Sequence, residues 1–452
     1  MENKITGIAR TNRFCWDVST LMGNMSGIYQ LAHPAQLSPT EFALSLNIRA
    51  CGVTAIDLEI GNDLLIADDL QSGQYRVMPL DRYTFGPNPL TGKEVLFAHY
   101  PKNLAFVPLG AKHADGTPHP YAGTGFIIGQ ILSFPIEALD KSNCFDGIPE
   151  EEIFYGLEIG QCTYDGKDFK IRDLQIRKIS DFLPGMVIGG GSLGSIVPDG
   201  DDMLIAFNCD KDVGKKEVRG CGVLRWKNKN GNWEVQEYLP IIEPDYEHFH
   251  TMNGVTANYV EPSLARAWDG SLIFTAREIG PEPFGYETKE GSRLTVWHST
   301  DQGKSWKVII EKENFHTQTP LSVGVTASGI PYIVANEFCT HNSKGERLTS
   351  IILREKLLVW PIKQDFSGLE EPICACDAPV EFGEPPNQSF WRVDHPIGLP
   401  VRLKDGKWHS ILCFRTLEHL ECDSNALPTP FTGSYVREIF STGNDFPLWI
   451  FD

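Results

Sequence analysis

Helical periodicity is scarce along this chain. Apolar residues come instead in short runs, separated by turn residues. Residues 193–208 read LGSIVPDGDDMLIAFN, 264–277 LARAWDGSLIFTAR, 323–337 VGVTASGIPYIVANE and 400–415 PVRLKDGKWHSILCFR. Each predicts two strands joined by a tight turn. A second hairpin often follows, as at 223–235 with its NGNW and at 294–310 with its DQGKSW. Two hairpins make one four-stranded antiparallel sheet. Sheets that begin near 193, 264, 323 and 400 recur every 60 to 75 residues or so, a period that predicts propeller blades with loop insertions. Further units fit at about 104–175 and within 10–90. The expected architecture is all-β: a six-bladed or seven-bladed β-propeller of four-stranded antiparallel blades. It forms a single domain over 1–452 with a loop insertion around 110–150. The strands of 435–451 are expected to complete the first blade and close the ring, which removes exposed sheet edges. A β-sandwich would show shorter, more even strand spacing.

Composition narrows the function classes. Hydrophobic residues make up 41%, enough for a large core, and the 42 Gly and 30 Pro fit many turns. The 59 acidic residues outnumber 40 basic ones, for a formal net charge of -19. No basic stripe is present, which argues against a nucleic-acid partner, and an acidic surface repels anionic membranes. No run of 18 apolar residues occurs. The start, Met1-Glu2-Asn3-Lys4-Ile5-Thr6, has no apolar leader. Eleven scattered cysteines, with Cys374-Ala375-Cys376 as the one close pair, suggest reduced buried thiols and a cytoplasmic setting. No CxxC pair supports zinc, and neither a metal nor a cofactor is expected.

Ser299-Thr300-Asp301-Gln302-Gly303-Lys304-Ser305-Trp306 resembles the Asp box, S-x-D-x-G-x-x-W, of sialidase-like propellers. Its logic is structural: the Asp accepts backbone N–H bonds within the turn, Gly permits left-handed backbone, and Trp packs between sheets. Val260-Glu261-Pro262-Ser263-Leu264, Trp268-Asp269-Gly270-Ser271-Leu272 and Arg277 are similar to the central sialidase blade, where a Glu and an Arg lie about 16 residues apart. The 341–349 segment resembles the one that carries the last arginine of the family's carboxylate-binding triad, which points to Arg347, with Arg354 as its competitor. The resemblance covers roughly 185–415. It implies arginine forks that grip a sugar carboxylate bidentately and a Glu that works as a base or tunes a nucleophile.

Two positions depart from that family. Where sialidases carry an Arg before Ile-Pro, the best local match, Phe97-Ala98-His99-Tyr100-Pro101, has His99. Where they carry a nucleophilic Tyr, this chain reads Asp394-His395-Pro396-Ile397-Gly398-Leu399. His99 and His119, 20 residues apart, resemble the paired histidines of propeller polysaccharide lyases and are expected on one rim. Tyr259 is expected on the same strand face as Glu261. Tyr246, His248 and His250 alternate along one extended segment. The candidate catalytic residues are therefore Glu261, His99, His119 and Tyr246. The candidate substrate-binding residues are Arg277, Arg347, His248, His250 and His395. The implied partner is an acidic oligosaccharide or polysaccharide. Three functions remain open: a sialidase-like glycoside hydrolase that removes a terminal acidic sugar, a lyase that eliminates at a uronic acid, and a non-catalytic glycan-binding propeller.

Overall fold

The computed structural model describes residues 7–17, 27–50, 59–70, 72, 74–136, 152–181, 183–186, 188–190, 196–211, 218–242, 251–252, 255–256, 258–279, 291–317, 319–339, 341, 345, 354–386, 390–419, 426–427, 433–442 and 445–452. Almost all of them are strand or turn, with one short α-helix, Ala378–Phe382, and a 3-10 turn, Ile179–Asp181. Among the described residues no helix is long and apolar enough to cross a membrane.

The strands pair antiparallel with their sequence neighbours. Gly27–Ser38, Glu41–Ala50, Glu59–Ala67 and Tyr75–Arg82 form the first path. Glu94–Val107, Thr124–Pro135, Tyr155–Tyr164 and Phe169–Arg177 form the next, joined to the first by a single parallel bridge, Ile60 to His99. Val197–Asp199 and Ile188–Gly190 both flank Asp202–Lys211, which continues to Val218–Lys229 and Asn232–Ile242. Asn258–Arg266, Leu272–Ile279, Ser292–Ser299 and Lys307–His316 follow. Then come Ser322–Val325, Pro331–Ala335, Lys356–Pro361 and Ile373–Asp377. The last path is Phe390–Arg402, Trp408–His419, Gly433–Thr442 and, outermost, Gly7–Asp17 from the other end of the chain.

Each leading strand packs against the sheet before it, and Phe390–Arg402 returns to Gly27–Ser38, so the sheets close into a ring. Ring closure differs from the sequence expectation. The N-terminal strand completes the last sheet, whereas strands of 435–451 were expected to complete the first. The expected insertion at 110–150 is interrupted by the strand Thr124–Pro135.

Sheets stacked on both sides bury both faces of the central strands, which explains their continuous apolar runs. Ser322–Val325 and Pro331–Ala335 are buried throughout, whereas the outer strand Phe169–Arg177 is mostly exposed. Each buried Leu, Ile or Phe contributes roughly 1.5–3 kcal/mol relative to exposure. The Ser299 to Trp306 turn is held by Asp301, whose Oδ1 accepts from Ser305 N at 2.9 Å and from Ser299 Oγ at 2.8 Å. Trp306 Nε1 donates to the Gly303 carbonyl at 2.9 Å. The hairpin turns of the leading strands mark one end of the ring. Across that end runs the C-terminal segment: Phe446 N bonds the Ala327 carbonyl, Lys112 N bonds the Ile450 carbonyl, and Phe451 stacks on Trp408. Trp449 is buried beside His119.

Candidate active site

Four leading strands break their ladder register at the same level, five to eight residues before they end. The breaks fall at Gln30, Tyr100-Pro101, Glu261-Pro262 and His395-Pro396. Three of the four contain a proline, which has no N–H to give to a ladder and so settles at a bulge. A bulge bends its strand and re-aims a side chain. Glu261 (φ 50) and His395 (φ 53) are left-handed without being glycine, a strain of about 1–3 kcal/mol each that such sites carry.

The re-aimed side chains meet. Arg277 Nη1 donates to Glu261 Oε2 at 2.9 Å. His395 Nε2 stands 3.6 Å from Glu261 Oε1, and its Nδ1 lies 2.8 Å from Asp394 Oδ1. Asp394 is fully buried and accepts from Arg415 Nε, Arg392 Nε and Arg354 Nη1, each at 2.5 Å. Arg415 Nη1 also donates to Gln30 Oε1 at 2.5 Å, and Gln30 Nε2 donates to Asn47 Oδ1 at 2.7 Å and to Glu59. The network thus draws on the first, fourth and last sheets and on Arg354, just ahead of the fifth sheet's Lys356–Pro361.

Its electrostatics are crowded with positive charge. Loss of water pushes Glu261 up, but Arg277 and His395 outweigh that and hold it below the usual carboxylate range. Asp394 is likewise driven well below by Arg415 and Arg392 against its burial. Burial and the neighbouring Arg392 push Arg354 down from the ordinary arginine value, and burial does the same to Arg415.

The structure separates several candidates that the sequence grouped. His99 and His119 do not share a rim. His99 pairs with Ile131 deep in its hairpin, while His119 lies in the loop beyond the Val107–Thr124 pair. Eight residues of strand separate His99 from that pair, about 25 Å. His99 Nδ1 lies 3.0 Å from Glu158 Oε2, in the seam between the first two strand paths. His119 Nδ1 accepts from Tyr121 N at 3.2 Å, and its Nε2 donates to the Gly200 carbonyl at 3.2 Å, a packing role. Tyr259 leaves the face of Glu261 because the bulge interrupts the alternation. Its hydroxyl meets Arg293 Nη2 at 3.1 Å inside a hydrophobic cluster. Tyr246, His248, His250 and Arg347 lie outside the described residues. Arg354, the alternative to Arg347, is at the network's centre. The sequence reading missed Asp394, Arg392, Arg415 and Gln30 as site residues. The one local signal was the His395-Pro396 pair beside Asp394; Gln30 and Arg415 have no such neighbour.

Two groups of side chains have the geometry of metal ligands. In the first, Asp81, His99 and Glu158, the Lys102 ammonium stands 2.5 Å from both carboxylates and occupies the cation's place. In the second, His113, His119 and Asp201, the bond from Tyr121 fixes the proton of His119 on Nε2, the nitrogen a metal would need.

No protein-family description matches the chain, and no curated protein matches its sequence. Solved structures do match. The sialidase of Trypanosoma rangeli in complex with the inhibitor DANA aligns with a TM-score of 0.51 at 11% identity, over 91% of this chain and 55% of that one. A protein of unknown function from Dyadobacter fermentans aligns with a TM-score of 0.51 at 10% identity, over 92% of this chain and 95% of that one. The chain spans about half the length of the trypanosomal sialidase. The fold is that of a sialidase-like β-propeller.

Proposed function

We propose that this chain is a glycoside hydrolase that removes a terminal acidic sugar from a glycan, built as six blades around one axial site. The observation that carries the reading is charge. A chain of net charge -19 gathers, among its described residues, four guanidinium groups beside Glu261 and Asp394 where its leading strands bulge. The planar guanidinium fork fits a sugar carboxylate bidentately. Arg277 and Arg354 are the proposed carboxylate clamp, and Glu261 and a histidine share the acid–base work. The C-terminal segment that crosses the turn end supports a pocket open at one end, which favours cleavage of terminal sugars.

One observation favours β-elimination as a second reading. An imidazole oriented by a buried carboxylate beside arginines also suits abstraction of the proton next to a neutralised uronate. A panel of sialosides and uronate oligosaccharides separates the two. Hydrolysis releases a saturated acidic sugar; elimination yields a C4–C5 double bond that absorbs in the ultraviolet. Glu261→Gln and Arg277→Ala are expected to lower kcat/KM at least 100-fold. Absence of turnover, with ligand binding intact in Glu261→Ala, would instead mark a glycan-binding module.

A further inference from the structure

We propose that His395 is the proton-transfer residue of this site and that Asp394 is the positioning residue that fixes its ring; this rests on the glycan-processing reading above. Three described histidines lie near the network. His316 is fully buried, accepts from Thr319 N at Nδ1 (3.1 Å) and meets the Arg293 carbonyl at Nε2 (3.3 Å), so both nitrogens are engaged within the protein. His99 is held against Glu158 and Lys102's carboxylate partners in the seam. His395 alone of the three turns a ring nitrogen toward a carboxylate of the arginine network.

The tautomer follows from its partners. Asp394 is ionised: Arg415, Arg392 and Arg354 each pair with it, and Arg415 and Arg392 hold it well below the usual range against its burial. An ionised carboxylate only accepts, so the 2.8 Å contact requires a proton on Nδ1 of His395. In the neutral ring the lone pair then sits on Nε2. The 3.6 Å from Nε2 to Glu261 Oε1 is too long for a hydrogen bond. Three guanidinium groups from three segments immobilise Asp394, and the positive φ of His395 fixes where the ring starts. This is the logic of a base oriented by a third group.

In the hydrolytic step, Nε2 takes a proton from a water molecule, and the oxygen pair so freed forms the bond to the anomeric carbon. The glycosidic C–O pair leaves on the departing oxygen, which is protonated from solvent. The imidazolium then returns its proton to water. Glu261, ionised across the ring, faces the positive charge that develops on the sugar. The charged groups that face His395 are Asp394 and Arg392 from its own strand, Glu261 and Arg277 from the fourth sheet, Arg354 beside the fifth, and Arg415 from the adjacent strand.

Nitrogen-15 NMR of histidine-labelled protein, with His395→Gln to assign the signal, tests the proposal without relying on turnover. The expected result is a ring that keeps a proton on Nδ1 and whose Nε2 signal moves on addition of N-acetylneuraminate or glucuronate. A proton on Nε2, or a ring untouched by saturating amounts of either sugar acid, overturns it. On a cleaved substrate, His395→Gln is expected to lower kcat about 100-fold or more with KM changed less than threefold, and to abolish the acid limb of the pH profile. Retention of that limb, or of kcat within tenfold, overturns it too. Asp394→Asn is expected to redistribute the tautomer. If it does not fold, His395→Gln still decides. A wild type that cleaves nothing sinks the hydrolase reading alone, because the tautomer and the ligand response are read separately.

Discussion

At Glu261 and His395 a carboxylate and an imidazole are aimed by strained backbone, and the charge around them sets how the protein responds to acid. Against its burial, Glu158 is held near 2 by His99 and Lys102. His316 is pushed down to about 3 by burial and by the neighbouring Arg277. For Glu158 the folded value is depressed, so its contribution is present above the unfolded value and lost as pH falls toward 2. For His316 the unfolded chain binds the extra proton between about 6.5 and 3, so stability also drops as pH falls through that window. Melting temperature is expected to fall from pH 6.5 downward, with the upper part of the loss absent in His316→Gln; thermal melts across pH check this. At this scale the sequence marked Glu261, Arg277 and His395. It did not mark Asp394 as a hub, because Arg415 reaches Asp394 across the hairpin, and Gln30, from the far end of the chain, joins through Arg415.

Among elements, bulges and glycines decide which side chains fit. The alternation that placed Tyr259 beside Glu261 failed because Glu261 itself sits in the irregularity between Val260 and Ser263, and Pro262 was its visible sign. Tyr332 offers a second case. It is fully buried, its hydroxyl has no hydrogen-bond partner among the described residues, and two glycines make room for it. A Cβ at Gly398 would lie 1.9 Å from Tyr332 Oη, and one at Gly324 2.5 Å from Cζ. Gly398→Ala is expected to destabilise by about 1–3 kcal/mol through overpacking. Tyr332→Phe is expected to be neutral or stabilising by about 1 kcal/mol, since it removes an unsatisfied buried hydroxyl. Denaturant melts of both variants test the pair; a clear loss in Tyr332→Phe would show that the hydroxyl has a partner.

Over the whole molecule, two devices hold the ring. Gly7–Asp17 zips onto Gly433–Thr442 as the outer strand of the last sheet, and the segment 445–452 straps the turn end. Trp449 packs with Phe126, Trp226 and Trp233 in the cluster between the second and third strand paths, while Phe451 reaches the last. Trp449→Ala is expected to cost about 3–5 kcal/mol, and removal of 445–452 to lower the melting temperature further. An unchanged melt of the truncated chain would show that the zipped strands alone close the ring. The repeating hairpins made the propeller legible in the sequence, but the direction of closure was not, since either terminus could supply the missing outer strand.

Secondary structure and its repetition can be read along the chain. Those are local matters: runs of apolar residues, Asp-Gly and Asn-Gly turns, and the Glu261–Arg277 spacing within one hairpin. Which polar residues meet depends on ring closure, which brings together strands that are hundreds of positions apart. It sets His99 and His119 apart from the arginine network and joins Arg354, Arg415 and Gln30 to it. The physical reason is that a buried charge is settled by what surrounds it in space, and no pattern along the chain records that.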